Sequence, residues 1–111
     1  MKICDFAAKM NAEILSMPRP DIEISGGYCG DLLSWVMGRA EEGQVWITIM
    51  SNINIVAVAS LADVSAILLS ENAEVESDVV AKAEEQGINV LRTPMSSYDA
   101  AVALGNFIRG N

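Results

Sequence analysis

Three short, almost continuous apolar runs set at helix-length intervals constrain this chain more than anything else in it. They are residues 45–50 (VWITIM), 66–69 (AILL) and 88–91 (INVL). Runs of this kind read as strands buried on both faces, the condition of a parallel sheet with helices on either side. Parallel neighbours need a crossover of a dozen or so residues, usually helical. Residues 53–62 (INIVAVASLA) are rich in β-branched side chains, which alone argues for a strand. Their place between two buried strands makes them the crossover, so they are read as a helix capped by Ser51, Asn52 or Asn54. Residues 78–86 form an amphipathic helix capped by Ser77 and ended by Gly87. Pro94 terminates the third strand. Ser96 or Ser97 then caps a last helix whose face is Ala101, Leu104, Phe107 and Ile108. From residue 44 onward the order is β-α-β-α-β-α, which predicts right-handed crossovers and helices on the faces of the sheet.

The first forty residues are less regular. Ile3, Phe6, Ala7 and Met10 share one helical face over residues 3–10, and residues 12–16 read as a short strand. Pro18 and Pro20 flank Arg19 in a turn. Residues 22–25 (IEIS) alternate as a strand and run into Gly26-Gly27. Asp31 is placed as the N-cap of a helix carrying Leu32, Leu33, Val36 and Met37, with Gly38 as its stop. Glu41-Glu42-Gly43 is a solvated turn. No linker, internal repeat or low-complexity tract interrupts the 111 residues. The expectation is one domain over 1–111, α/β in class and three-layered, with a mostly parallel sheet and flanking helices.

Composition removes several chemistries. Fifteen acids against seven bases give a net charge of −8. Lys2, Lys9, Arg19, Arg39, Lys82, Arg92 and Arg109 are scattered singly, so neither nucleic acid nor an anionic membrane surface is an expected partner. No apolar stretch reaches the ~18 residues of a membrane helix. No basic region followed by an apolar run and a cleavage site opens the sequence, and with only two cysteines the cytosol is the default compartment, both thiols reduced. There is no histidine, which removes the usual Ser–His and Cys–His nucleophile pairs and the commonest zinc ligand. Cys4 and Cys29 stand 25 positions apart with no Cys-x-x-Cys, so no metal or cofactor is expected. Both read as small buried hydrophobes. A reactive Cys29 beside its glycines, or a disulfide between the two, stands as the alternative. Trp35, Trp46 and Tyr28 are assigned to the core or to a dimer interface. The acids from Glu71 to Asp78 read as a charged loop and helix start.

Two segments are candidates for holding a ligand. Gly26-Gly27-Tyr28-Cys29-Gly30 is the only glycine-rich stretch, and it lacks the Gly-Lys-Ser/Thr of a P-loop. Placed between a strand and a helix, it is either a structural turn or a cradle whose amides near Asp31 face an anion. Ser51-Asn52-Ile53-Asn54 lies at the carboxyl end of the first buried strand, where open α/β sheets collect ligands near a reversal of strand order. Its alternative role is ordinary helix capping. The candidate ligand-binding set is therefore Gly26, Gly27, Asp31, Ser51, Asn52 and Asn54, lining a pocket between residues 26–31 and 51–54. A nucleotide or other anion is the first ligand to test.

The segments Ile24-Ser-Gly-Gly-Tyr-Cys-Gly-Asp-Leu-Leu-Ser-Trp-Val-Met-Gly38, Val45-Trp-Ile-Thr-Ile and Asn54-Ile-Val-Ala-Val-Ala-Ser-Leu-Ala-Asp63 resemble the DRTGG domain, whose pattern the chain follows from about residue 2 to 109. The naming motif is degenerate here, with Ile24-Ser25 leading into Gly26-Gly27. More distantly, residues 31–66 are similar to the N-terminal domains of HPr kinase and of the Mur ligases, the latter of which help bind a uridine nucleotide. The resemblance implies a small α/β module, usually dimeric, found in phosphotransacetylases, in pyrophosphatases beside cystathionine-synthase-type regulatory domains, and alone near iron-only hydrogenase and electron-transfer genes. It places no catalytic residue in the module. The expected function is a non-catalytic regulatory or assembly module that homodimerises and serves a protein partner in an electron-transfer or metabolic complex. The rival expectation is a small-molecule sensor.

Overall fold

The computed structural model describes residues 1–110. Its elements follow in chain order as α1 (Ile3–Met10), β1 (Glu13–Ser16), β2 (Gly26–Cys29), α2 (Leu33–Arg39), β3 (Gln44–Thr48), α3 (Asn54–Ala62), β4 (Ala66–Leu69), α4 (Ser77–Gln86), β5 (Val90–Arg92) and α5 (Ser97–Arg109). Five strands make one sheet in the order β1-β5-β4-β3-β2. β2, β3, β4 and β5 are parallel, and β1 joins β5 antiparallel at the far edge.

The apolar runs become buried strands because consecutive side chains point to opposite faces and both faces are covered. Val45, Ile47, Ala66, Leu68 and Leu91 meet α1 and α5 through Ile3, Phe6, Ala7, Met10, Ala100 and Leu104. Trp46, Ile67, Leu69 and Val90 meet α2, α3 and α4 through Val36, Ile55, Val56, Ala59, Val79 and Ala83. The architecture is thus three layers, helices on either side of a mostly parallel sheet. The β-branched stretch from Asn54 to Ala62 is helical; burial of Ile55, Val56, Val58 and Ala59 outweighs its local preference for strand.

Several local expectations are corrected. Residues 22–25 are not a strand; only an isolated bridge, Lys2 with Glu23, forms there. The strand lies four residues later, in the glycines themselves, with Gly26 opposite Gln44 and Tyr28 opposite Trp46. Packing decides this. α5 lies directly on β2, and a Cβ on Gly27 would come within 2.4 Å of Leu104 Cδ2. Only a residue without a side chain at position 27 admits the helix so closely. Asp31 is not the N-cap of α2, a position held by Leu32 without a side-chain bond. Gly38 does not stop that helix, which runs to Arg39. Ser77 begins α4 rather than capping it. The third apolar strand starts at Val90 because the Ile88 N–H still closes the end of α4 on the Ala83 carbonyl at 2.8 Å. Ser96 does cap α5, accepting from the Asp99 N–H at 3.0 Å. Both cysteines are free thiols, and Cys29 is exposed rather than buried.

Candidate functional site

The expected pocket between residues 26–31 and 51–54 is not one cavity. Asp31 is drawn away from any ligand by the sheet. Its Oδ1 accepts from the buried Thr48 hydroxyl at 2.8 Å and from the Ile49 N–H at 3.0 Å. Thr48 Oγ1 in turn accepts from the Met50 N–H at 3.1 Å. One residue earlier, the Gly30 carbonyl accepts from the Trp46 indole N–H at 2.9 Å. The turn after β2 is therefore a latch onto the end of β3.

Gly26 and Gly27 lie elsewhere. With Ser25, Cys29, Ala101, Gly105 and Arg109 they line a cleft of about 420 Å³ between β2 and α5. Arg109, in the last turn of α5, brings a guanidinium to it. That residue was not a candidate, because the last helix reads from sequence as core. The signal available was the small pair Ala101 and Gly105, one helical turn apart, facing a strand of glycines.

Ser51 and Asn52 line a different cleft of about 580 Å³ with Glu74, Val75, Glu76 and Asp78 from the approach to α4. Asn52 Oδ1 accepts from the Asn54 N–H at 2.9 Å, a turn bond leading into α3, whose N-cap is Ile53, so none of Ser51, Asn52 and Asn54 is the cap itself. Three carboxylates beside Ser51 and Asn52 oppose an anion in a chain that is already −8. Asn54 falls on a third groove, about 520 Å³, between α3 and α4. The structure thus brings Ser51 together with Asn52, and Gly26 with Gly27, and separates both pairs from Asp31 and Asn54.

The sheet has no reversal in the order of its parallel strands, contrary to the expectation. β2, β3, β4 and β5 succeed one another, with α2, α3 and α4 all on one face. The two connections that part company are those after β4 and β5, since α4 lies on one face and α5 on the other. That is where a ligand crevice would open, and here it is stitched shut. The Glu71 N–H donates to the Met95 carbonyl at 2.7 Å, and the Asn72 N–H to the Thr93 carbonyl at 2.9 Å. The hydroxyls of Ser70 and Ser97 sit 2.6 Å apart beneath them. Glu71 and Asn72 adopt left-handed φ values of 56° and 52° to make these bonds, a conformation costly for residues with side chains.

Cys29 is the one group whose proton affinity is clearly displaced. Partial burial of the thiol, and then the nearby Asp31 carboxylate, push its pKa up. The thiolate is therefore disfavoured at neutral pH, the opposite of what a nucleophilic or redox cysteine needs.

The family's model matches residues 5–107, and the chain belongs to the DRTGG domain family. Among solved structures it is similar to the CBS and DRTGG domains of the regulatory region of Clostridium perfringens pyrophosphatase, solved in complex with the activator diadenosine tetraphosphate. The TM-score is 0.69 at 17% sequence identity, over 90% of this chain and 44% of that one. The likeness extends to the fold, and this chain spans less than half the length of that regulatory region. No curated protein matches the sequence. No helix among the described residues is long and apolar enough to cross a membrane.

Proposed function

We propose that this chain is a non-catalytic regulatory or assembly module that works as a homodimer in the cytoplasm. The observation that carries this reading is the closed crevice between β4 and β5. Where a sheet of this kind would admit a substrate, backbone amides and carbonyls of residues 71–72 and 93–95 consume one another. The structure invests in rigidity at that end of the sheet, through this stitch and through the Asp31 latch, and offers large side chains to the outside. Leu32, Trp35, Met37, Ile49, Ile53 and Leu61, all from α2, α3 and the turns before them, are 45–71% exposed. Surface of that kind serves protein contact. Its hetero-partner, in this reading, is a component of an electron-transfer or metabolic complex, as the family resemblance suggests. The test is mass in solution by sedimentation equilibrium from micromolar to millimolar chain. A concentration-dependent dimer is expected, and a strict monomer throughout would remove the reading.

A second reading, a nucleotide or anion sensor, is favoured by the cleft between β2 and α5. Its ~420 Å³ falls in the range of small-molecule sites, and Arg109 supplies the cation that the Ser51 cleft lacks. The similar pyrophosphatase region was solved with a dinucleotide activator. A thermal-shift panel of nucleotides and phosphometabolites tests it, since a ligand at 100 times its Kd adds about 2.7 kcal/mol. A shift abolished by Arg109→Ala is the expected result for a sensor, and no shift with any member counts against it.

A further inference from the structure

Resting on the homodimer reading, we infer that the two copies meet through α3, packed antiparallel against its own copy about a two-fold axis at Ala57. Three observations lead there. From Gly43 to Ala62 the sequence carries no charged residue, in a chain of net charge −8. The exposed residues of this stretch, including Ile53, Asn54, Ala57, Ser60 and Leu61, all project from α3 or the turn before it. A two-fold contact sets a surface patch against itself, so any charge near its centre meets its own copy. A patch whose centre carries no charge avoids that repulsion. A partner recognised by charge would find none on α3 itself.

The second observation is the spacing. Ile53 and Leu61 flank Ala57 at minus four and plus four, and Asn54 and Ser60 flank it at minus three and plus three. Positions three and four apart share a helical face. Turned over about Ala57, the helix presents Leu61 to the partner's Ile53 and Asn54 to the partner's Ser60. The small residue falls where two helix backbones come closest.

The third is shape. This ridge is itself one wall of the groove of about 520 Å³ between α3 and α4, where Ile53, Asn54, Ala57, Ser60 and Leu61 face Lys82 and Gln86 on the other side. Lys82 lies 3.9 Å from Glu85, so the rim of the groove carries no net charge from this pair. Ridge and groove side by side on one helix face are the requirement for two copies to interdigitate.

The experiment uses the full chain in sedimentation equilibrium. Ala57 is exposed, so Ala57→Glu and Ala57→Lys place a charge on the surface without disturbing the core, and far-UV circular dichroism and Tm confirm the fold. Each variant alone is expected to weaken the dimer at least ~10-fold, because like charges meet on the axis. Mixed one to one, the two are expected to form a heterodimer. Val102→Glu, on the exposed side of α5, serves as the control and is expected to dimerise as the parent does. A parent that dimerises while Ala57→Glu dimerises equally well overturns the α3 interface and leaves the homodimer standing. Loss of the dimer in both variants with no heterodimer on mixing overturns the two-fold register at Ala57. A monomeric parent removes the homodimer and this interface together.

Discussion

At the scale of the residue, the polar side chains of Asp31, Thr48, Ser16 and Asn89 each fasten one segment to another. Asp31 shows the pattern. Replacing it with Ala leaves the buried Thr48 hydroxyl and the Ile49 amide without their acceptor. That should cost about 1–3 kcal/mol in urea unfolding, whereas Asp31→Asn keeps an acceptor oxygen and should cost less. Ser65 is the converse case. Its hydroxyl is the buried side-chain oxygen among the described residues with no hydrogen-bond partner. Ser65→Ala removes the desolvation penalty with little change of volume, so chemical denaturation is expected to show equal or greater stability, by up to ~1 kcal/mol. At Cys29 the raised pKa keeps the thiolate fraction at pH 7–8 below that of a free thiol. Alkylation by iodoacetamide should be slow and should rise only as pH climbs through the displaced value. Asp31→Asn, by removing the second of the two causes, should shift that rise to lower pH. A Cys29 that alkylates faster than a free thiol at pH 7 would contradict this. The sequence showed that Asp31 was special but not what it holds, because Thr48 lies seventeen positions away and nothing local reports on that distance.

Among the elements, the pairing of β2 with α5 was the least legible. Two adjacent glycines flanked by alternating residues read as strand followed by turn, and the signal that they are themselves the strand resides in α5, where Leu104 lies 77 positions beyond Gly27. The consequence is measurable. Gly27→Ala sets a methyl group where Leu104 Cδ2 now sits, while at Gly26 the nearest atom to a new Cβ is 3.8 Å away. Both glycines have ordinary negative φ, so backbone strain does not enter. Gly27→Ala should destabilise by about 1–3 kcal/mol through overpacking, and Gly26→Ala should leave Tm nearly unchanged. Elements whose type is set by long-range burial alone were legible, because there the sequence repeats its message. Residues 45–47 and 66–69 are apolar whichever face they present, and the segment between them had to be a crossover. Starts and stops were not. Leu32, Ile53 and Glu76 occupy N-cap positions without any side-chain bond, so capping rules had nothing to find.

Over the whole molecule, the three-layer plan followed from the spacing of apolar runs, while the division of the expected ligand site into separate clefts did not. Residues at the ends of neighbouring strands look adjacent on paper, but the intervening surface is set by which face each helix takes. The charge balance also acts at this scale. Two copies of −8 repel at a distance, and the charge-free α3 face gains nothing from that field. Raising salt from about 20 to 500 mM contracts the screening length from ~20 Å to ~4 Å and is therefore expected to strengthen the proposed dimer, with sedimentation showing a lower Kd at high salt. An interface dominated by ion pairs would do the reverse. The strand order carries one more consequence, for synthesis. β1, made first, pairs with β5, made last: Glu13 sits opposite Arg92 and Ile14 opposite Leu91. A chain emerging from the ribosome leaves β1 without its partner until β5 is out, so resistance to protease over residues 13–16 should arrive late in the synthesis of this domain rather than with the strands that precede β5.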